Sequence, residues 1–174
     1  MATTTASQTD HAEQVQDAAE QAFGFVPNLI SEITSENPAV AEVYLKANGI
    51  LEEGGVLSAS EREAVFLAVS SHNDCHYCKA AHAASGQQVG LDTETIEAIN
   101  EGGLPEDGRL KSLVRATRRI INKRGWLSDV DEEEFADLGL GRPELYELVA
   151  IVGIKTISNY VNHIAGTEID DPLT

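Results

Sequence analysis

The sequence predicts an all-α protein folded as a single compact domain. Apolar residues recur at three- and four-residue spacing along most of the chain, and helix-capping patterns precede several of these segments. No segment alternates polar and apolar residues with the two-residue period of a strand over more than a few positions. A chain of 174 residues is also long enough to bury about two-thirds of its unfolded surface around one core.

Gly, Pro and capping residues mark the breaks between the predicted helices. Asp10 can cap the first helix, and the Thr- and Ser-rich residues 1–10 are predicted to form a disordered tail, which leaves 11–174 as one domain. Pro27 and Pro38 suit the first turns of the second and third helices. The predicted helices cover 10–23, 27–33, 38–53, 60–71, 75–88, 93–100, 107–123, 129–137 and 143–163.

The fourth helix has the clearest start. Ser58 with Glu61, and Ser60 with Glu63, both have the spacing of a capping box. The segment 64–69 that follows is apolar on all sides, which is typical of a buried helix.

The later helices are separated by short turns. Residues 89–92 form a turn before the sixth helix, and the loop 102–105 precedes the seventh. Ser128 opens an acidic eighth helix that Gly139 can end, and Pro143 suits the first turn of the last helix.

The charge of the chain argues against some classes of partner. Twelve Lys and Arg residues against 29 Asp and Glu residues give a net charge of −17, so we expect neither nucleic acid nor an anionic membrane as a partner. The longest apolar runs, such as 148–154, are far shorter than the roughly 20 residues that span a membrane. The first ten residues have neither the basic nor the apolar region of a secretory leader, so we expect a cytoplasmic protein.

The two cysteines of the chain, Cys75 and Cys78, stand in a C-x-x-C pattern. This spacing closes almost no loop, so it predicts a redox or metal centre rather than a structural crosslink. With Asp74 as the cap, Cys75 and Cys78 would occupy the first and fourth positions of a helix. They would lie on one face, close enough to form a disulfide, where the helix N-terminus lowers the pKa of a thiol.

Two further residues fit the same site. His82 lies four residues after Cys78 on the same helical face and could accept or shuttle its proton. Glu63 lies twelve residues before Cys75 on the predicted buried helix, where a carboxylate needs a partner. Taken singly, Glu63 could be the third residue of the Ser60 capping box, and His82 a surface or core histidine. Together with the C-x-x-C they predict a thiol activated by an oriented base.

The last helix carries a second polar group. Asn159 and His163 are four residues apart on an otherwise apolar helix, with Tyr160 beside them. They could belong to the active site, and the alternative is that they face a neighbouring subunit.

The spacing Glu63-x11-Cys75-x-x-Cys78-x3-His82 is similar to the motif of the alkylhydroperoxidase D-like family of the carboxymuconolactone decarboxylase superfamily. The resemblance covers roughly residues 25–164. It implies an all-α fold in which the cysteine helix packs against the glutamate helix. It also implies a homo-oligomer, a trimer or a hexamer.

The resemblance further implies a role for each residue. Cys78 would be the peroxidatic cysteine, which passes through a sulfenic acid, and Cys75 the more exposed resolving thiol. Glu63 and His82 would relay protons to Cys78. Tyr77 is a departure, because well-studied members carry a His immediately before the second Cys. We therefore expect a thiol-dependent peroxidase or disulfide oxidoreductase that reduces hydroperoxides.

Other cofactors and activities leave different signatures. No G-x-G-x-x-G pattern is present, so we expect no nicotinamide or flavin cofactor and a thiol or dithiol partner as electron donor. One alternative is a structural or sensor protein that binds zinc through Cys75, Cys78, His82 and Glu63. Another is a lactone decarboxylase, which does not depend on a C-x-x-C and is therefore disfavoured by both cysteines.

Overall fold

The computed structural model describes the backbone of residues 2–173 and the side chains of residues 9–173. Over this range the chain is helical without a β-strand, which confirms the predicted all-α class. The helices are α1 (Ala2–Phe23), α2 (Asn28–Glu36), α3 (Pro38–Gly54), α4 (Ala59–His72), α5 (His76–Gln88), α6 (Thr93–Asn100), α7 (Gly108–Lys123), α8 (Asp129–Asp137) and α9 (Arg142–Ala165). A short 3-10 helix covers Asp171–Leu173.

Helix α4 is the central element, and it packs against α5, α6, α7 and α9. Residues 64–70 are all buried, as the apolar sequence predicted. The helix begins after Ser58, whose hydroxyl accepts from the Glu61 N–H at 3.3 Å while the Glu61 carboxylate accepts from the Ser58 N–H at 2.8 Å. Only this first predicted capping box forms. Ser60 lies inside the helix, so the interpretation of Glu63 as a capping residue is wrong.

The start of α5 differs from the prediction by one residue. Asp74 adopts a left-handed conformation with φ of 54°, which Asp tolerates better than most residues, and its carboxylate pairs with Lys79 at 3.0 Å. Cys75 is therefore the cap, and its Sγ accepts from the Cys78 N–H at 3.4 Å. Cys78 becomes the third residue of the helix, which begins at His76.

The N-terminal end also differs from the prediction. Helix α1 begins at Ala2, so residues 2–10 are helical where the sequence predicted a disordered tail. Asp10 lies within the helix rather than at its cap, because extending an existing helix costs much less than starting one. Within the described range 2–173, none of the helices combines the length and the apolar character needed to cross a membrane. The assignment of 11–174 as one domain and the cytoplasmic location stay predictions.

Candidate active site

The two cysteines lie together at the start of α5, where this helix packs against α9. Both are free thiols, and each is only 1% exposed. The Asn162 side chain reaches both sulfurs, because its Nδ2 donates to Cys78 Sγ at 3.3 Å and to Cys75 Sγ at 3.8 Å. The expectation that Cys75 is the more exposed thiol is wrong. Cys78 is the one that lines a cavity.

Glu63 and His82 form a pair next to the cysteines. Glu63 Oε2 lies 2.8 Å from His82 Nδ1, and both side chains are largely buried. An ionised carboxylate only accepts hydrogen bonds, so His82 donates from Nδ1 and its Nε2 is left as an acceptor. The His82 ring also packs on Phe66, with ring centroids 4.7 Å apart. The structure thus brings Glu63, His82 and the C-x-x-C into one region, as the spacing predicted.

Lys155 is a member of this site that the sequence analysis missed. Its Nζ lies 2.6 Å from His82 Nε2 and 5.5 Å from the centroid of the Phe66 ring. The side chain is 1% exposed. Since an ammonium only donates, Lys155 donates to the free nitrogen of His82. Glu63, His82 and Lys155 therefore form one continuous hydrogen-bonded chain.

Lys155 belongs to a polar stripe on the inner face of α9. The residues at helical spacing i, i+3, i+4 and i+7 along this stripe are all buried: Lys155, Ser158, Asn159 and Asn162. Ser158 Oγ lies 3.8 Å from Cys78 Sγ. This recurrence of polar residues within an apolar helix is the sequence signal that could have identified the stripe.

The predicted pair Asn159 and His163 does not come together. Asn159 is fully buried, and its Oδ1 accepts from Asn73 Nδ2 at 2.9 Å. His163 is exposed and stacks beside Tyr160, with centroids 6.2 Å apart. Asn159 therefore joins α9 to the end of α4, while His163 lies on the surface.

The electrostatic environment makes the two thiols unequal. A hydrogen bond from the Cys75 thiol lowers the pKa of Cys78, and the positive charge of Lys155 lowers it further. The same hydrogen bond raises the pKa of Cys75, because it favours the protonated form of the donor, and burial adds to this. Burial acts to lower the pKa of Lys155, but nearby negative charges that include the Cys78 thiolate raise it. The reduced pair is therefore a Cys78 thiolate beside a Cys75 thiol.

Two cavities meet at His82. The first has a volume of about 230 Å³, and its lining includes Cys78, His82 and Lys155 together with the apolar residues Leu29 and Ile30. The second is larger, at about 500 Å³, and is lined in part by Glu63 and His82. A reactant in the first cavity would thus have an apolar wall, the Cys78 sulfur and the Lys155 ammonium around it.

Tyr77, which departs from the family motif, is tied to the C-terminal segment. Its hydroxyl donates to Asp170 Oδ2 at 2.5 Å, and Asp170 Oδ1 accepts from the Asn28 N–H at 2.8 Å. Burial raises the pKa of Tyr77, and the Asp170 carboxylate raises it further. Tyr77 is therefore a neutral donor that attaches the C-terminal segment to the helix of the cysteines.

The zinc alternative finds little support in this arrangement. Among the residues that the structure describes, no group of three or more His, Cys, Asp or Glu side chains is placed to hold a metal ion. Both ring nitrogens of His82 are engaged, one with Glu63 and the other with the ammonium of Lys155. A cation bound there would have to displace Lys155.

Structural comparison identifies solved proteins with a similar fold. An uncharacterized peroxidase-related protein from Silicibacter sp. TM1040 has a TM-score of 0.78 at 21% identity, over 94% of this chain and 87% of that one. An alkylhydroperoxidase AhpD core protein from Ralstonia eutropha JMP134 gives 0.81 at 20% identity, over 94% and 87%. The debrominase Bmp8 gives 0.70 at 21% identity, over 93% and 87%. At such identities the likeness concerns the fold.

Sequence comparison finds a family similar to part of the chain. No curated protein matches the chain. Residues 38–122, which include Glu63, both cysteines and His82, match the sequence model of the carboxymuconolactone decarboxylase family. Over these residues the chain is similar to the carboxymuconolactone decarboxylase family, and over most of its length it has the fold of the alkylhydroperoxidase AhpD core.

Proposed function

We propose that this protein is a thiol-dependent peroxidase, or more broadly a disulfide oxidoreductase, that uses Cys75 and Cys78 as its redox pair. The observation that carries the proposal is the inequality of two adjacent thiols. Cys78 lines a cavity beside a buried cation and has a lowered pKa, while Cys75 stays protonated next to it. A nucleophilic thiolate with a neighbouring thiol in reserve is what two-step reduction of a peroxide requires.

The reaction is proposed in two steps at the cysteines. The Cys78 thiolate attacks the terminal oxygen of a hydroperoxide, the O–O bond breaks, and the alcohol leaves after taking one proton. Cys78 is then a sulfenic acid. The Cys75 thiol attacks its sulfur, an S–S bond forms, and the hydroxyl leaves with the Cys75 proton as water. A thiol or dithiol partner finally returns two electrons to the disulfide.

Glu63 and His82 would relay protons from solvent into the site. They are hydrogen-bonded to each other, partly buried, and placed between the second cavity and Lys155. In this proposal Glu63 orients His82, and His82 passes protons on toward the cysteine site.

The fold does not by itself select the electrophile that the thiolate attacks. Peroxidase-related proteins and a debrominase share this fold, and one structure of that debrominase contains 2,3,4-tribromopyrrole. We propose a hydroperoxide because the match to the family model and the peroxidase-related neighbours support it, and because the reserve thiol allows a sulfenic acid to be resolved.

Thiol counting by mass spectrometry tests the proposal directly. Reduced protein should lose both thiols after one equivalent of an organic hydroperoxide and gain an intramolecular Cys75–Cys78 disulfide. In Cys75→Ser, a sulfenic acid should accumulate on Cys78 and be over-oxidised with excess peroxide. Two free thiols that survive excess hydroperoxide would exclude the peroxidase.

A further inference from the structure

We propose that Lys155, rather than His82, is the group that delivers the proton to the leaving oxygen at Cys78, and that it is also the counter-ion of the Cys78 thiolate. This inference rests on the proposed function and deepens it. The sequence motif pairs His82 with Cys78, but in the structure Lys155 occupies the ring nitrogen of His82 that Glu63 leaves free.

The first argument is the orientation of His82. Its Nδ1 is used by Glu63 at 2.8 Å, and its Nε2 by Lys155 at 2.6 Å. No ring nitrogen of His82 is left to reach the cavity. The Lys155 ammonium has three N–H groups, of which His82 takes one, and Lys155 lines the same cavity as Cys78.

The second argument is that burying the charged side chain of Lys155 is unfavourable unless anions lie nearby. A lysine side chain that is 1% exposed loses nearly all its hydration, which costs several kcal/mol unless nearby charges compensate. The titratable groups that face Lys155 are Tyr44 on α3, Glu63 on α4, Cys75 at the cap of α5, and Cys78 and His82 on α5. Asp170 lines the same cavity, but its two oxygens are taken by Tyr77 and Asn28. With Cys75 holding its proton, the thiolate and the carboxylate that face Lys155 are those of Cys78 and Glu63.

The third argument is the proton balance of the peroxide step. The Cys78 thiolate, the hydroperoxide and the Lys155 ammonium give the sulfenic acid, the alcohol and a neutral Lys155 amine. The Cys75 thiol then gives the disulfide and water, so the site itself supplies both protons that the reduction consumes. One proton returns afterwards from solvent to Lys155 by way of Glu63 and His82, which border the second cavity.

Lys155→Met tests the counter-ion role without any peroxide, since Met has a similar length and no charge. The ultraviolet absorbance of the reduced protein reports the Cys78 thiolate during a pH titration. We expect the midpoint of the Cys78 titration to rise by more than about one pH unit in Lys155→Met. At a fixed pH below both midpoints, this corresponds to about a tenfold loss of thiolate. The matched control is Lys79→Met, which removes a cation one residue from Cys78 that is paired with Asp74 instead. An equal titration in wild type and Lys155→Met would overturn the counter-ion role.

Peroxide kinetics separate proton delivery from the counter-ion role. At a pH where the variant is also fully thiolate, Lys155→Met should still react about 10²-fold more slowly than wild type, because the proton donor is missing. Equal rates under that condition would overturn proton delivery. Failure of wild-type protein to form the disulfide would instead overturn the proposed function, and would leave the thiolate titration as an independent result.

A measurement on the unaltered protein covers the case in which Lys155→Met does not fold. The chain has five lysines, so the side-chain nitrogen of Lys155 can be followed by NMR in isotope-labelled protein. Oxidation to the disulfide removes the negative charge of Cys78, so the Lys155 amine should titrate at lower pH in oxidised than in reduced protein. An unchanged titration would contradict the charge coupling.

Discussion

Removal of the Asp170 carboxylate should destabilise the protein far more than its place near the chain end suggests. Asp170 is 5% exposed, and its two oxygens accept from the Tyr77 hydroxyl at 2.5 Å and the Asn28 N–H at 2.8 Å. Hydrogen bonds to a charged group contribute about 1.5–3 kcal/mol each. We expect Asp170→Ala to cost about 3 kcal/mol, the lower end of the sum, because water can reach the freed donors once the terminal segment loosens.

Urea unfolding of the reduced protein at fixed concentration measures this loss. For a chain of this size, a change of about 3 kcal/mol corresponds to a fall in Tm of roughly 6–12 °C. Tyr77→Phe should cost about half as much, because it removes one of the two bonds and leaves Asn28 paired. Glu168→Ala is the matched control, since Glu168 lies in the same segment and is exposed.

The same substitution should change access to the cysteines. Asp170 lines the cavity that contains Cys78, so a loosened terminal segment should speed the alkylation of Cys78 by a neutral reagent. An Asp170→Ala protein within about 0.5 kcal/mol of wild type would refute the reasoning, because that is the ordinary range of a surface substitution.

Three further predictions concern the site and the assembly. Glu63→Gln and His82→Ala should each slow the reaction of Cys78 with peroxide by about 10²-fold while leaving the fold intact, and unchanged kinetics in Glu63→Gln would return Glu63 to a packing role. The lowered pKa of Cys78 means that its thiolate stabilises the fold fully above the unfolded pKa of about 8.5 and progressively less as the pH falls toward the folded value. Between about pH 6 and pH 8, the free energy of unfolding of reduced wild type should therefore rise relative to that of Cys78→Ser by up to about 1.4 kcal/mol per pH unit. The same pH dependence in both proteins would contradict this. We further propose that the protein forms a trimer or hexamer that is more stable at high salt. Helix α9 exposes the apolar side chains of Tyr146, Val149 and Ile164, while salt screens the repulsion between subunits that each carry a net charge of −17. A monomer in light scattering at high salt and tens of micromolar protein would refute this proposal.

The helices and the redox motif were predictable from the sequence because they depend on local spacing. The apolar run of α4 and the capping box at Ser58 fix a buried helix in register, and the C-x-x-C and His82 share a helical face by periodicity alone. The convergence of Glu63 on His82 followed from the family motif. It also requires α4 and α5 to pack in one particular relative position along their axes, which the periodicity of the sequence does not specify.

The remaining features depend on tertiary contacts that leave little or no local signal in the sequence. Asp74 is a good capping residue, yet the turn after α4 places it in the left-handed region and gives the cap to Cys75. Asp170 lies beyond the last long helix and becomes buried only because α2 and Tyr77 supply its donors. Lysine is a residue type that usually lies at the surface, and only the spacing of Lys155 to Ser158 and Asn162 indicates that it lies on the inner face of α9.

The burial of Lys155 connects the stability of this fold with its chemistry. In a chain with 29 acidic residues, a lysine finds carboxylate partners on the surface at little cost, so burying one is unfavourable for stability alone. The burial of Lys155 can be explained by the two anions that act on it together. Glu63 acts on Lys155 through His82, while the second anion exists only when Cys78 is reduced and ionised. In the proposed mechanism the charge balance of the interior is therefore complete in the thiolate state and disturbed by each oxidation, which would couple the redox state of the cysteines to the proton held by Lys155.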